Sequence, residues 1–481
     1  MNQNISASEL FQRVRELLIL PDLKPETRNK MMHDTLILCC HEGVKDTKQA
    51  FGNLFSQVDY LCKVRGIKIA DKIAIQTMRR HSNKPDALTN EELGYDARAL
   101  AIFISAVFHV DVPHELNVLI PHTNRPYQKG LEINKRYIRC IVKSWDADFI
   151  RVDIDQDADE EEYLVCLKDA ENNIDHTYLC ELLREGTQLN LLDNQVRQPI
   201  ITPRLIVLEP DYLVDISSIA ACFTAFGHHP LLYLLNLMKP RANTQATLLG
   251  NFAGAALDDI INSHGKYQMN ETVKTNFREK ALEFCTCPWF DAKKFYTDAN
   301  QQAFNLQQVV DILFPRTASQ AQMSAFRGES LYDRKKAILE PSFVCEALGI
   351  QGRVDLMTTD CKLLVEQKSG RNMNIETHQV DPAYHSYQLE PHYVQLLLYY
   401  GVLQHNFKLS NDRVNIRLLY SKYQPQDGLM VVAYYHKLFK EAIEYRNQLV
   451  AASFEIAKEG FEHALNEFTP DVLNVAGTQD F

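Results

Sequence analysis

Residues 1 to about 110 carry apolar positions at helical spacing. Ser6 followed by Glu9 is a helix-start pattern, because each side chain can bond the backbone amide of the other residue. Longer helices are predicted over 28–65 and 67–80. A further helix, 90–108, becomes almost wholly apolar at its centre, which is typical of a buried helix. The pattern therefore predicts a helical N-terminal domain over 1–110.

After Pro113 the apolar residues fall into short runs separated by turn-rich or acidic links. One helical piece is predicted at 176–184. Short strands in about 100 residues favour a small β-barrel of the OB type over 111–210. The acidic loop 155–162 would repel phosphate, so a scaffolding role is favoured over strand binding. The predicted strands are 117–120, 136–143, 149–154, 163–167, 189–192 and 204–208.

From residue 211 to 481 helices alternate with buried strands, which predicts a mixed sheet flanked by helices. Two strands, 352–356 and 363–370, are joined by a polar turn and read as a hairpin. The chain as a whole is thus predicted to be a multi-domain α/β protein. Helices are predicted at 229–238, 243–262, 273–285, 306–313, 391–403 and 438–468, and later strands at 413–422 and 429–435.

Charged residues gather at the end of the second hairpin strand. Successive side chains of a strand alternate faces, so Glu366 and Lys368 point the same way. The hairpin brings Asp355 back beside Glu366. Two carboxylates and an ammonium at one place can bind a hard divalent cation and activate a water. Charged strand ends are common, so this pattern is weak evidence when taken alone.

Neighbouring residues strengthen this interpretation. Gly352 precedes the aspartate by three positions, where the backbone can approach another segment closely. Gly370 follows the lysine and permits a turn beside the cleft. Gln395 and Tyr399 lie one helical turn apart on the same face of an otherwise apolar helix. A single buried Gln or Tyr is usually a satisfied core group, but this pair is harder to explain in that way.

The composition limits the possible functions. A chain of 481 residues is long enough for two or three domains. With a net charge of −11 the protein is not a general polyanion binder, so any nucleic-acid contact must come from a local basic groove. No stretch is apolar enough to cross a membrane, and no secretory signal is evident. Eleven scattered cysteines without zinc spacing favour a reduced, cytoplasmic protein.

Taken together, these residues resemble the PD-(D/E)XK nucleases of the RecB-like branch. The resemblance covers about 205–435 by motif and 112–205 by architecture, since those nucleases also carry a small barrel ahead of the core. It is strongest to the nuclease half of the ATP-dependent helicase/nucleases of DNA replication. The matching segments are 352–355, 365–370, Gln395 with Tyr399, 206–214, 217–219, 248–251 and 418–421.

The resemblance implies a restriction-endonuclease-like core and a metal-dependent nuclease that cleaves single-stranded or flap DNA in replication, repair or recombination. Asp355 and Glu366 would bind Mg²⁺ or Mn²⁺, with the carbonyl of Gln367 as a third ligand. Lys368 would orient the attacking water and stabilise charge on the phosphate.

The helix residues and the arginines have implied roles as well. Gln395 and Tyr399 would position the DNA strand or brace the metal site. Arg371 follows the turn at the site and is the best placed for phosphate contact, while Arg417 could also line the strand's path. Arg353 shares the strand face of Asp355, where it can contact DNA or pair with a carboxylate.

The chain departs from the resembling nucleases in two ways. They carry a metal-binding His four residues after the Gly that corresponds to Gly250, whereas this chain has Gly254. The third side-chain ligand is therefore missing, or Asp258 or Asp259 supplies it. Many relatives also hold an iron–sulfur cluster, but no cysteine follows Cys361, so no cluster is expected.

The motor half of a helicase–nuclease is absent, since no Gly-x-x-x-x-Gly-Lys-Ser/Thr loop occurs. A helicase would act as a separate partner or belong to a longer chain. The alternative function is a catalytically reduced DNA-binding or scaffold module of a helicase–nuclease complex, with Gly254 as its best support. A third is a nuclease of phage or mobile-element defence, with similar chemistry on another substrate.

Overall fold

The chain forms two compact units in a computed structural model. They are Met1–Tyr212 with Ala451–Ala464, and Leu213–Val450 with Leu465–Phe481. The predicted regions 1–110 and 111–210 lie together in the first unit. The structure describes residues 5–460, 462, 463 and 466, except 21–22, 48–50, 52–53, 84–86, 125–135, 155–162, 171, 198, 225–226, 231–232, 235–242, 264–266, 327–329, 383, 385 and 410–413.

Helices open the first unit, and two of them begin as helix-start patterns predict. The Ser6 hydroxyl accepts from the Glu9 amide, and the Glu9 carboxylate accepts from the Ser6 amide. Thr89 and Glu92 repeat this arrangement. The segment predicted as one helix over 28–65 is two helices. The bounds are α1 Ala7–Ile19, α2 Pro25–Val44, α3 Leu54–Val64, α4 Ile69–Ser82, α5 Asn90–Phe108 and α6 His114–Asn117.

The strand predicted at 117–120 is wrong. Pro113 stands at the N-cap of α6, so the chain makes a helical turn there instead. Leu116 and Ile120 are both buried in the core of the helical region. Their spacing of four is helical, whereas the prediction took the short apolar run 118–120 as part of a strand.

The strand-rich part of the first unit is an open sheet. Its order is β7-β8-β3-β2-β1-β6-β9. Within the described residues the two edge strands, β7 and β9, do not pair with each other, so the predicted closure of the sheet into a barrel is not seen. The acidic loop 155–162 lies outside the described residues. The strands are β1 Tyr137–Trp145, β2 Phe149–Ile154, β3 Tyr163–Cys166, β6 Gln188–Leu192, β7 Gln195–Arg197, β8 Ile200–Thr202 and β9 Leu205–Leu208, with a small ribbon of β4 Lys168–Asp169 and β5 Ile174–Asp175, and a 3₁₀ helix Thr177–Glu181.

The second unit contains mixed sheets flanked by helices, as predicted. A five-stranded sheet has the order β13-β16-β17-β18-β19, in which β17 and β18 are parallel. A three-stranded sheet has the order β10-β15-β14. The strands are β10 Val214–Asp215, β11 Phe223–Thr224, β12 Gly227–His228, β13 Ala337–Leu339, β14 Ser342–Cys345, β15 Ile350–Arg353, β16 Leu356–Thr358, β17 Leu363–Lys368, β18 Asn415–Tyr420 and β19 Leu429–Val431.

The helices of this unit differ from the prediction mainly in length. The predicted helix 273–285 is two helices, and 306–313 is the end of a much longer one. The predicted helix 229–238 lies largely outside the described residues. The bounds are α7 Ile216–Ala220, α8 Gln245–Asn262, α9 Met269–Glu279, α10 Ala281–Cys285, α11 Ala292–Leu313, α12 Ala318–Phe326, α13 Met373–Thr377, α14 Glu390–Phe407, α15 Pro425–Gly428 and α16 His436–Glu459, with a 3₁₀ helix Arg334–Lys336.

The two faces of β17 meet different helices. Leu363 and Val365 are buried in one core with residues of α8 and α11. Because side chains alternate along a strand, Glu366 and Lys368 lie on the opposite face. There Lys368 contacts Gln395 of α14. The alternation therefore separates an apolar layer from the polar groups of the candidate site.

Candidate metal and active site

The site begins at a bend in an antiparallel ribbon. Strands β14 and β15 belong to one sheet, and β13 and β16, which continue them, belong to another. The register does not slip across the break, since Ser342 pairs with Arg353 and Leu339 pairs with Leu356. Glu340 and Asp355 therefore face each other at the bend, where the Glu340 amide donates to the Asp355 carbonyl at 3.0 Å.

The predicted hairpin is present as β16 and β17, although the strand predicted at 352–356 is divided between β15 and β16. Strand β16 pairs antiparallel with β17. The Lys368 ammonium donates to a Glu366 carboxylate oxygen at 2.7 Å and to the Gln395 side-chain oxygen at 2.8 Å. The bond between Glu366 and Lys368 agrees with the expectation that the two side chains share a face of the strand. The Gln395 side-chain oxygen therefore holds the Lys368 ammonium in place.

Glu366 is a buried carboxylate with one unused oxygen. The residue is 2% exposed. One oxygen accepts from Lys368, whereas Oε2 is buried and has no hydrogen-bond partner in the described part of the chain. Burial and the neighbouring Asp355 charge raise the pKa of Glu366 to about 8. A buried carboxylate without full compensation is costly, so this oxygen is suited to a cation.

Asp355 lies at the sheet edge beside β17. Its Oδ2 accepts from the Gln367 amide at 2.6 Å. Burial raises the pKa of Asp355, and the Gln367 amide and Lys368 offset part of that effect. The carbonyls of Lys362 and Lys368 accept hydrogen bonds on the β18 side of the strand. Successive carbonyls along a strand point to opposite sides, so the Gln367 carbonyl points away from β18, to the side on which the Gln367 amide donates to Asp355. This orientation agrees with its predicted part as a ligand.

Tyr399 holds the chain that leads into Asp355. Its hydroxyl donates to the Arg353 carbonyl at 2.6 Å. A Cβ atom added at Gly352 would lie 2.9 Å from the Tyr399 ring, so the close approach predicted at this glycine is present. Tyr399 is buried and braces the backbone. In this position its hydroxyl is used within the protein.

One face of α8 runs alongside the site. Gly250, Gly254 and Asp258 are spaced by four residues and so lie along the same side of the helix. A Cβ added at Gly250 would lie 3.1 Å from the Ser369 hydroxyl, whereas one added at Gly254 would meet nothing within 4 Å. The place where the resembling nucleases carry a histidine is therefore open space.

The two aspartates that could replace this histidine have different surroundings. The Asp259 carboxylate accepts a hydrogen bond from Thr272. Asp258 is half-buried, and burial and then the Glu340 and Asp355 charges raise its pKa to about 7. Of the two sequence alternatives, Asp258 is the one whose ionised form the Glu340 and Asp355 charges disfavour.

The predicted DNA-contacting arginines are placed unequally. Arg417 is only 4% exposed, and its guanidinium donates to the Asn415 side chain at 2.9 Å, so it does not present a surface to DNA. The reason is that β18 is buried on both faces. Arg371 is exposed and pairs with Glu376. Arg353 is exposed and pairs with Glu340 at 3.0 Å, as one of the two sequence alternatives foresaw.

Two residues near the site were missed from the sequence. Glu340 is a charged residue between two strands, and only the ribbon register reveals that it opposes Asp355. His392 is half-buried on α14, and burial together with Lys368 lowers its pKa to about 3, so its ring is neutral. It contacts the Tyr420 hydroxyl at 3.0 Å. Its spacing of three from Gln395 was the available signal.

The donor set fits a divalent cation only in part. Among the described residues, no three His, Cys, Asp or Glu side chains are grouped closely enough to hold an ion as they stand. The unused Glu366 oxygen, the Asp355 carboxylate and the Gln367 carbonyl are nevertheless the oxygen donors that Mg²⁺ and Mn²⁺ prefer. The described residues thus offer oxygen donors of a suitable kind, without three grouped side chains that would hold an ion.

Comparison with known proteins leaves the function open. No protein-family model matches the chain, and no curated protein matches it significantly. Across the described residues, none of the helices has the length and apolarity needed to cross a membrane.

Proposed function

We propose that the second unit is a metal-dependent deoxyribonuclease that hydrolyses phosphodiester bonds in single-stranded or flap DNA. The observation that carries the proposal is the buried Glu366 oxygen without a partner, beside Asp355 and a lysine held in place by two bonds. A structural charge cluster would pair its carboxylates. The group around Glu366 instead leaves the Oε2 atom of that residue without a hydrogen-bond partner in the described part of the chain, next to the Lys368 ammonium.

Asp355 and Glu366 would hold Mg²⁺ or Mn²⁺, with the Gln367 carbonyl as a further donor. When bound, the cation would screen the anionic substrate and polarise the scissile phosphate. The raised pKa values of these carboxyls support the assignment, because a cation is the group that would favour their ionised forms.

Lys368 would act on the substrate directly. Its ammonium is anchored by Glu366 and Gln395 and keeps one donor free, because an ammonium has three. That donor can hold the attacking water or stabilise charge that develops on the phosphate. Tyr399 and Gln395 would keep the aspartate and the lysine in position.

The DNA would reach this site across basic residues at the ends of β17 and β18. Arg371 and Lys422 follow these two parallel strands, and both pair with Glu376. Both are exposed enough to exchange that carboxylate for a phosphate. We also propose that a helicase delivers the strand and that residues 111–210 are an OB-like module; the sequence resemblance is the support for both.

The test uses Asp355→Asn, with Asp360→Asn as the matched control. Asp360 lies in the hairpin turn and pairs with Lys336, away from the carboxylate cluster. We expect Asp355→Asn to abolish Mn²⁺-dependent cleavage of end-labelled single-stranded DNA, and Asp360→Asn to retain it. Circular dichroism checks that both variants fold. Full cleavage by Asp355→Asn would overturn the proposal.

The scaffold alternative is favoured by one observation, the open space at Gly254 where a ligand would stand. A scaffold has no need to bind metal. Titration of the wild-type chain with Mn²⁺ by calorimetry separates the two functions: binding that Asp355→Asn removes supports the nuclease, and absence of binding supports the scaffold.

A further inference from the structure

Resting on the proposed nuclease function, we propose that Arg371, Lys422 and the Tyr423 hydroxyl form a binding site for a backbone phosphate of the DNA strand. In the free protein the Glu376 carboxylate occupies this site, and it must leave before a phosphate can bind. The strand would therefore compete with a carboxylate of the protein itself.

The Glu376 carboxylate has a donor on each of its two oxygens. The Arg371 guanidinium donates from Nε to Oε2. The Lys422 ammonium and the Tyr423 hydroxyl both donate to Oε1, at 3.1 Å and 2.9 Å. The bonds from Arg371 and then Lys422 lower the pKa of Glu376 to about 2, so the carboxylate is ionised at neutral pH. A phosphodiester also shares one negative charge between two oxygens, so the same donors suit it.

These donors lie beyond the carboxyl ends of two neighbouring parallel strands. Lys368 ends β17 and Tyr420 ends β18, and the two residues pair in the sheet. Arg371 follows Lys368 by three residues, and Lys422 follows Tyr420 by two. Ligands of α/β proteins commonly bind outside such strand ends. Three residues of chain span at most about 10 Å, so a strand that meets Lys368 can also meet Arg371.

The charges at these donors favour an anion. Two cations, Arg371 and Lys422, share the one Glu376 carboxylate. Both cations are exposed and Glu376 is half-buried, so a strand can reach them. Exposed ion pairs add little to stability because water screens them, so little is lost when they open. A phosphate and the carboxylate repel each other, so they cannot share the three donors.

The Tyr423 donor is held on a rigid frame at Asn372. That residue is fully buried. Its side chain accepts from the amides of Asn374 and Ile375 at the start of α13 and donates to the Tyr387 carbonyl at 2.8 Å. The Tyr423 hydroxyl in turn accepts from the Asn372 amide at 2.8 Å. The frame keeps the hydroxyl in position whether or not a carboxylate is bound to it.

Glu376 can leave without stranding a partner. The Tyr423 hydroxyl has one proton and two acceptors within reach, the Glu376 carboxylate at 2.9 Å and the Asn372 carbonyl at 3.2 Å. It can therefore turn to the carbonyl when the carboxylate moves away. Arg371 and Lys422 are exposed, so water can solvate them in the interval before a phosphate binds. The carboxylate is thus an occupant that a phosphate can displace.

Glu271 provides a matched control. It is an exposed glutamate of α9 that pairs with Lys274 at 2.7 Å. Glu271→Gln and Glu376→Gln change the net charge by the same amount, and each removes the carboxylate of an ion pair. Only Glu376→Gln should open a site for a phosphate.

The experiment measures the binding of a fluorescein-labelled oligothymidylate to the full chain by fluorescence anisotropy. EDTA is present so that no cleavage occurs, and the chloride concentration is varied. We expect Glu376→Gln to bind the strand about 5-fold more tightly than wild type, the effect of one unit charge about 4 Å away in water. Its plot of log affinity against log salt should steepen by about 0.7, the value for one added phosphate contact. Glu271→Gln should change neither quantity.

A double substitution tests whether the gain comes from these donors. Arg371→Gln combined with Glu376→Gln should cancel the gain, because the donor that the carboxylate blocks is then lost. Thermal unfolding checks that all variants fold. Displacement of the strand by inorganic phosphate, beyond that by chloride at equal ionic strength, would assign the site to a free phosphate and overturn its role in strand binding.

The outcomes separate this site from the proposed function. Unchanged affinity in Glu376→Gln overturns the role of Glu376 and leaves the nuclease site intact. An equal gain in Glu271→Gln, or a gain that survives Arg371→Gln, overturns it as well, because net charge then explains the effect. The expected gain without any Mn²⁺-dependent cleavage by wild type overturns the nuclease and keeps the phosphate site. No strand binding by any of the proteins overturns both.

Discussion

The two units each hold a partly buried group of charges, and the two groups are built differently. In the first unit, Asp59, Lys72, Lys143 and Asp153 form a closed set with two charges of each sign. Lys72 lies 2.8 Å from Asp59 and 3.1 Å from Asp153, and Lys143 lies 3.2 Å and 2.9 Å from the same two carboxylates. Each carboxylate thus has two ammonium partners.

The group in the second unit is unbalanced. Asp258, Asp355 and Glu366 have raised pKa values, and Lys368 is the ammonium bonded to one of them. In the first group, by contrast, the pKa of Asp153 is lowered, because its bonds to Lys143 and Lys72 outweigh its burial. Balanced charges stabilise a fold, whereas an excess of buried carboxylates marks a place for a missing positive charge.

The largest effect that sharpens this comparison is expected for Lys368→Met. Cleavage should fall by about 100-fold or more, because the donor that supports the phosphate is lost. Mn²⁺ binding should persist or strengthen, because the carboxylates lose the ammonium that competes for them. Single-turnover cleavage and calorimetry measure the two effects.

Lys362→Met is the control for this substitution, since Lys362 is exposed at the start of the same strand. Loss of Mn²⁺ binding together with cleavage in Lys368→Met would contradict the assigned role, because it would make the lysine a structural part of the metal site.

The next prediction compares how much each group of charges contributes to the free energy of unfolding. Asp59→Asn should lower the free energy of unfolding by about 2 kcal/mol, because it leaves two ammonium groups sharing Asp153. The loss is smaller than for a fully buried pair, since both lysines are about a quarter exposed. Glu366→Gln should be neutral or stabilising, because it removes repulsion. Urea unfolding followed by circular dichroism measures both, and a large loss in Glu366→Gln would break the comparison.

The two groups of charges should make contributions to stability that change with pH in opposite directions. The pKa of Glu366 is raised to about 8 and that of Asp258 to about 7, so the folded chain holds more protons than the unfolded one between about pH 4 and 8. Their contribution to stability therefore falls as the pH rises through this window. Asp153, with a lowered pKa, contributes stability that is lost only below about pH 4.

Thermal unfolding between pH 5 and pH 8 tests this prediction. Without metal, Glu366→Gln and Asp258→Asn should show a smaller decline with pH than wild type. Added Mn²⁺ should raise the unfolding temperature more at pH 8 than at pH 5, because it competes with protons for the same oxygens. An equal shift by Mn²⁺ at both pH values would argue against the carboxylates as its site.

The smallest effect distinguishes two glycines of the site. Gly254→Ala should stabilise the protein by about 0.5–1 kcal/mol, since the position is helical and the added Cβ meets nothing within 4 Å. Gly352→Ala should destabilise it by about 1–3 kcal/mol, because the Cβ would lie 2.9 Å from the Tyr399 ring. Thermal unfolding compares them, and destabilisation by Gly254→Ala would mean that its space is not open.

Local patterns predicted much of the candidate site. Strand alternation predicted that Glu366 and Lys368 share one face of a strand, and helical spacing predicted that Gln395 and Tyr399 share one face of a helix. Both predictions depend only on residues close in sequence. Short apolar runs were harder to assign, because 117–120 fits a short buried strand as well as the end of a helical pattern.

Long-range packing could not be predicted in the same way. The burial of Arg417 depends on the position of β18 inside a sheet, and its sequence neighbours do not reveal that position. The grouping of 1–110 with 111–210 also rests on distant pairs, such as Lys72 with Asp153. The open edges of the first sheet depend on where its outer strands pair: β7 pairs with β8 at one edge and β9 pairs with β6 at the other.

The sequence by itself determined the hairpin that carries Asp355, Glu366 and Lys368, because the turn and the period of two are local properties. Only the tertiary structure decided that Asp259 is bonded to Thr272 of α9, and that Glu340 opposes Asp355. These relations depend on how α8 packs against α9 and on a ribbon register that spans a bend. Such geometry comes from packing between distant segments, and no local spacing encodes it.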